Sequence, residues 1–147
     1  MANWKKIKED IGNIKDGIYT ITSFSSKKSL DVKYNRVTQK INENSNDVKW
    51  QITYVGGGEY KIVNIKTNLA MTIENGSHDS GAKLVVKEYV GSVEQKFAIL
   101  DNGDGTYRII ASHSGKAIDL RDWVVDDNAE MIQWRYLGGT NQRWIIK

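Results

Sequence analysis

The sequence predicts an all-β domain with approximate threefold symmetry. Two observations carry this: one pattern recurs three times in phase along the chain, and each copy contains short runs in which apolar and polar residues alternate. The copies open on Gly17-Ile18-Tyr19-Thr20-Ile21, Gly58-Glu59-Tyr60-Lys61-Ile62 and Gly105-Thr106-Tyr107-Arg108-Ile109. They close on an aromatic with Ile two residues further on: Trp50 and Ile52, Phe97 and Ile99, Trp144 and Ile146.

The elements follow in order. Residues 1–16 precede the repeats, and Trp4, Ile7, Ile11 and Ile14 fall there at helical spacing with Lys5, Lys6, Glu9 and Asp10 between them. This segment reads as a short helix or arm covering one end of the domain, or as a docking element for a partner chain. Gly12 weakens a helix by about 1 kcal/mol relative to Ala. The repeats then run 17–57, 58–104 and 105–147, each with about four strands, and Gly56-Gly57-Gly58, Asn102-Gly103-Asp104-Gly105 and Gly138-Gly139 mark turns. The interval from the Tyr to the next apolar marker is constant: Tyr19 to Leu30, Tyr60 to Met71 and Tyr107 to Ile118 are each eleven residues. The first repeat is six residues shorter than the others, between Asp31 and Gln39. One such repeat cannot bury its own apolar face, whereas three closing on one another can, and closure leaves few open strand edges.

A chain of 147 residues fits one domain. It contains no cysteine, so disulfides and thiol chemistry are excluded. The two histidines, His78 and His113, fall in different repeats without metal-ligand spacing, and no carboxylate pair has an acid–base partner to name. The expectation is therefore a domain that is no enzyme and needs no cofactor or metal. A net charge of +3 with lysines interleaved among Asp and Glu reads as a solvated surface rather than a nucleic-acid face. No apolar run is long enough to insert into a bilayer, and Met-Ala-Asn-Trp-Lys-Lys lacks the apolar core of a signal peptide. Release without such a signal is the expectation if the protein is exported; the compartment stays open.

Asn141-Gln142-Arg143-Trp144 resembles the NQxW signature of ricin-B-type (QxW) lectin repeats. Glu94-Gln95-Lys96-Phe97 is a QxF version, and Asp47-Val48-Lys49-Trp50 a version without the Gln. Leu30-Asp31-Val32 and Ile118-Asp119-Leu120 are similar to the family's Leu-Asp-Val element. The resemblance covers residues 17–147 and implies a β-trefoil that binds galactose-type or related sugars. The family's bacterial members include haemagglutinin components of toxin complexes and modules appended to glycosidases and toxins.

A neutral-sugar site needs a carboxylate to accept from adjacent ring hydroxyls, an aromatic face for the ring's C–H patch, and amides to complete and orient the polar contacts. The third repeat supplies each. By the resemblance, Asp119 stands at the sugar-binding Asp position, Trp134 is the stacking aromatic, Asn141 the amide donor and Gln142 its orienting neighbour. Tyr136, two residues beyond Trp134, shares its face of a strand and joins the site. Trp123 lies in a polar loop with Asp122, Asp126, Asp127 and Asn128, and is a candidate second wall. The pattern departs at Ile132, where many family members carry Gln; Gln133 is one residue off and should point away from Trp134. The first repeat has Lys40 for Trp134 and Asp47 for Asn141. The second has Thr72 for Asp119, Lys87 for Trp134 and Glu94 for Asn141. One working site is expected, with an affinity of roughly −4 kcal/mol, or millimolar. Attachment to a cell surface then needs several copies, as a homo-oligomer or within a toxin or haemagglutinin complex. The alternative is a protein–protein interaction or toxin-complex structural subunit whose sugar site is vestigial.

Overall fold

The computed structural model describes residues 14–147. Of the N-terminal arm only Ile14, Lys15 and Asp16 are described, so the helical reading of Trp4, Ile7 and Ile11 lies outside the described residues. Ile14 packs against the core, and its carbonyl accepts from the Tyr60 hydroxyl at 3.1 Å.

Thirteen strands lie among the described residues. The first repeat contributes β1 (Gly17–Tyr19), β2 (Ile21–Ser23), β3 (Ser29–Lys33) and β4 (Arg36–Lys40), and runs into β5 (Trp50–Gly56). The second contributes β6 (Glu59–Asn64), β7 (Ala70–Ile73), β8 (Leu84–Lys87) and β9 (Phe97–Asp101). The third contributes β10 (Tyr107–Ala111), β11 (Ala117–Leu120), β12 (Met131–Trp134) and β13 (Trp144–Ile146). Antiparallel pairing closes a ring: β1 with β5, β5 with β6, β6 with β9, β9 with β10, β10 with β13, and β13 back to β2. Each repeat also folds a hairpin, β3–β4, β7–β8 or β11–β12, over one end of the ring. This is the threefold all-β domain that the repeat pattern predicts and the β-trefoil that the resemblance implies; β1 and β2, separated by Thr20 alone, pair with β5 and β13 and so join the two ends of the ring.

The closing aromatics Trp50, Phe97 and Trp144 are fully buried at the centre, with Ile21, Ile52, Ile62, Ile99 and Ile109 around them. Each such aliphatic side chain contributes about 1.5–3 kcal/mol on burial. The indole N–H of Trp50 donates to the Leu30 carbonyl at 3.0 Å, and that of Trp144 to the Ile118 carbonyl at 3.1 Å. Each bond pins the residue immediately before the Asp of its repeat, so the core itself sets the position of Asp31 and Asp119.

Gln133 is fully buried while the adjacent Trp134 is exposed, as strand alternation requires. Its amide Nε2 donates to the Ser77 and Asp79 carbonyls at 2.9 and 2.8 Å, and its Oε1 accepts from the Ser114 hydroxyl at 2.8 Å. Gln39, its counterpart in the first repeat, donates to the Val124 and Asp126 carbonyls at 2.8 and 2.9 Å and accepts from Ser26 at 2.7 Å. Each glutamine thus clamps the hairpin loop of a neighbouring repeat. In the second repeat the position is Val86, and the neighbour is the shortened β3–β4 turn, which leaves no loop to clamp. There the backbone N–H of Val86 donates to the Asn35 carbonyl at 2.9 Å. The shortened turn of the first repeat and the position without a glutamine in the second thus face each other.

Candidate binding site in the third repeat

Asp119 lies on β11 and is only 6% exposed, held by its own repeat. Its Oδ2 accepts from Gln142 Nε2 at 2.9 Å and its Oδ1 from Asn141 Nδ2 at 3.1 Å. Both amides come from one turn of 3₁₀ helix, Thr140–Gln142, that precedes the buried Trp144. Burial outweighs the two amide donors and holds the Asp119 carboxyl above the usual carboxylate value. Asp122 adds to the rise.

Gln142 has no capacity left for a ligand. Its second N–H donates to the Arg135 carbonyl at 2.8 Å, and its Oε1 accepts from the backbone of Leu137 and Gly138 at 2.7 and 3.2 Å. It is a positioning residue. Asn141 also uses both amide hydrogens, on Asp119 and on the Leu120 carbonyl at 3.1 Å. Its free atom is Oδ1, so Asn141 offers an acceptor where the sequence reading assigns a donor.

Above the carboxylate lies an open cavity of about 370 Å³, lined by Asp119, Asn141, Gln142, Trp134 and Trp123 among others. That volume falls within the small-molecule range of about 300–1,000 Å³. Trp134 ends β12 and is 41% exposed; Trp123 ends a 3₁₀ turn, Arg121–Trp123, and is 53% exposed. Half-exposed indoles over a buried carboxylate are not core packing.

Tyr136 does not join them. The sequence reading carried β12 two residues too far: the strand stops at Trp134, because Gln142 takes the Arg135 carbonyl and turns the chain. The Tyr136 ring instead lies beside the Arg108 guanidinium at 5.5 Å, with its hydroxyl 3.5 Å from Asn102 Oδ1.

Two glycines that the sequence reading missed shape the cavity. A Cβ on Gly139 would stand 2.8 Å from Asn141 Oδ1, so only glycine leaves that oxygen in place. Gly81, from the second repeat, faces the Trp134 ring, and its N–H donates to the Gln133 carbonyl at 2.8 Å. The Gly138-Gly139 pair had signalled a turn. Nothing within the third repeat signals Gly81.

The equivalent positions differ elsewhere. In the first repeat the Thr38 hydroxyl donates to Asp31 Oδ1 at 2.6 Å, and Lys40 pairs with Asp47 at 3.1 Å where Trp134 and Asn141 stand in the third. In the second, Gln95 keeps its framework role and donates to the Thr72 hydroxyl at 3.2 Å, over a smaller hollow of about 120 Å³. Among the described residues there is no cluster of metal-ligating side chains and no helix long and apolar enough to cross a membrane.

A β-trefoil built from three such repeats is the fold of a class of carbohydrate-binding lectin domains. The chain belongs to the ricin-type β-trefoil lectin domain-like family, whose model matches residues 2–85 and 46–134. It is similar to the designed threefold-symmetric protein ThreeFoil, at 34% identity and a TM-score of 0.86 over 89% of this chain and 98% of that one. It is also 34% identical, with a TM-score of 0.85, to part of an exo-β-1,3-galactanase from Clostridium thermocellum, covering 91% of this chain and 31% of that one. A Macrolepiota procera ricin B-like lectin solved with lactose shares the fold at 16% identity and a TM-score of 0.81, over 92% of this chain and 98% of that one. No curated protein sequence matches the chain.

Proposed function

We propose that this chain is a carbohydrate-binding lectin domain that takes a neutral, galactose-type or related sugar in the third-repeat cavity and performs no catalysis. One observation carries the reading: the polar atoms left free around Asp119 are acceptors, Asp119's remaining lone pairs and Asn141 Oδ1, and indoles border them. A ligand rich in hydroxyl donors with an apolar face fits such a site. Charged acceptors give the stronger hydrogen bonds, at about 1.5–3 kcal/mol each. Lys40 and Lys87 replace the stacking indole in the other repeats, which supports a single site per chain. With one shallow site the domain works as one of several copies, as an oligomer or within a larger assembly such as a toxin complex.

The test is titration of methyl β-galactoside and lactose against the wild type, Trp134→Ala and Asp119→Thr, followed by a glycan array. Asp119→Thr recreates the Thr72 arrangement of the second repeat, so the fold is kept. Wild-type binding that both variants abolish is the expected result. A wild type that binds no glycan on the array sinks the reading and leaves the partner-binding subunit in its place.

A further inference from the structure

Trp123 occupies a backbone conformation that large side chains avoid. Asp122 and Trp123 have φ of 53° and 55°, both left-handed. The equivalent turn of the second repeat is Asn75-Gly76, with φ of 57° and 60°. Asparagine and glycine are the residues that adopt this region most readily, and a bulky side chain there is strained. The same turn is therefore built twice, once with the residues it prefers and once with a tryptophan.

The indole gives the fold little in return. It is half exposed, and its one hydrogen bond runs from Nε1 to the Thr140 hydroxyl at 3.2 Å. Strain kept without a packing gain marks a functional position.

Its placement indicates the purpose. Trp134 borders the cavity where Gly81 approaches, and Trp123 borders it where Gly139 and Thr140 do. Among the described residues the only paired aromatic rings are Tyr54 with Tyr60 and His78 with His113, so the two indoles are not stacked on each other. Asp122 lies beside Trp123 on the same cavity, exposed, with a carboxylate to accept from further hydroxyls.

We infer that Trp123 is a second stacking platform and that the ligand is a glycan of at least two linked sugar residues, the first on Trp134 and Asp119 and its neighbour on Trp123 and Asp122. The inference rests on the sugar-binding reading of this cavity and goes beyond it by naming an oligosaccharide.

The experiment measures affinities for methyl β-galactoside and for four galactose-terminated disaccharides with α1,3, α1,4, β1,3 and β1,4 linkages, by calorimetry on wild type and Trp123→Gly. The variant recreates the second repeat's turn, and its melting curve verifies folding. At least one disaccharide binds the wild type about tenfold tighter than the monosaccharide. Trp123→Gly removes that gain, so that in the variant the disaccharide binds no tighter than the monosaccharide. The inference is overturned if no disaccharide exceeds the monosaccharide, if the gain survives in Trp123→Gly, or if the variant loses monosaccharide binding in equal measure, which would put both indoles on one ring. A wild type that binds none of the five probes and no glycan on the array overturns the parent reading together with this one.

Discussion

Replacing Gln133 by Leu tests the claim that buried glutamines lock neighbouring lobes together. Leucine is of similar size, so the change removes hydrogen bonds and leaves little void. Three are lost: to the Ser77 carbonyl, to the Asp79 carbonyl, and from the Ser114 hydroxyl. Neither carbonyl is orphaned, because His113 Nε2 still meets Ser77 at 2.8 Å and the Ala82 N–H still meets Asp79 at 3.3 Å. The cost is therefore the net value of three bonds at about 0.5–1.5 kcal/mol each, centred on about 3 kcal/mol, with no added desolvation penalty. For a domain of roughly this size each kcal/mol moves Tm by about 2–4 °C, so a fall of about 6–12 °C is expected. Circular dichroism melts of wild type, Gln133→Leu and Gln39→Leu measure it; Gln39→Leu breaks the matching three bonds and takes away the Val124 carbonyl's described donor, so it should fall at least as far. A fall below about 2 °C in both would refute the clamp.

Three further outcomes follow from the site. Gly139→Ala drives Asn141 off its position and lowers sugar affinity at least about tenfold with the fold intact, read by titration and melting. Sugar binding requires ionised Asp119, whose carboxyl titrates above its ordinary 3.8, so affinity falls on acidification from a higher pH than for an ordinary Asp; an affinity unchanged down to pH 3.8 would contradict this. The sign for stability is opposite to that of a salt-bridged Asp. With the folded value raised, the folded state holds the extra proton, so Asp119's contribution declines as pH rises from 3.8 through the folded value. Asp119→Thr should thus gain in Tm relative to wild type between acidic and neutral pH. Finally, affinity for a neutral sugar should change less than about twofold between about 50 and 500 mM salt, whereas an ionic ligand would weaken steeply.

The fold was legible because threefold closure demands the same core residue three times, and the Gly-x-Tyr openings and closing aromatics record that demand directly. Four of the residues around the cavity were legible for a related reason. Asp119, Trp134, Asn141 and Gln142 stand where the other repeats hold Thr72, Lys40, Asp47 or Val48, so the intact lobe stands out by contrast. Tyr136 was misplaced because alternation was extended past a strand end that Gln142 sets from a later turn. The donor role of Asn141 failed for a similar reason: its two hydrogens are claimed by a carboxylate and a carbonyl that only the folded turn brings near. Gly81 and the clamp partners of Gln133 were illegible, since they come from a different repeat and no spacing rule links them. The persistence of Asp31 in a lobe without the indole has a local cause, the Thr38 hydroxyl that satisfies it.

The glutamine clamps also give the trefoil a direction. The first lobe grips the third and the third grips the second, while between the second and first the corresponding contact is main chain alone. The lobes are therefore equivalent in shape and unequal in attachment. Local opening is expected first along that third junction, where a main-chain contact stands in place of the glutamine clamp.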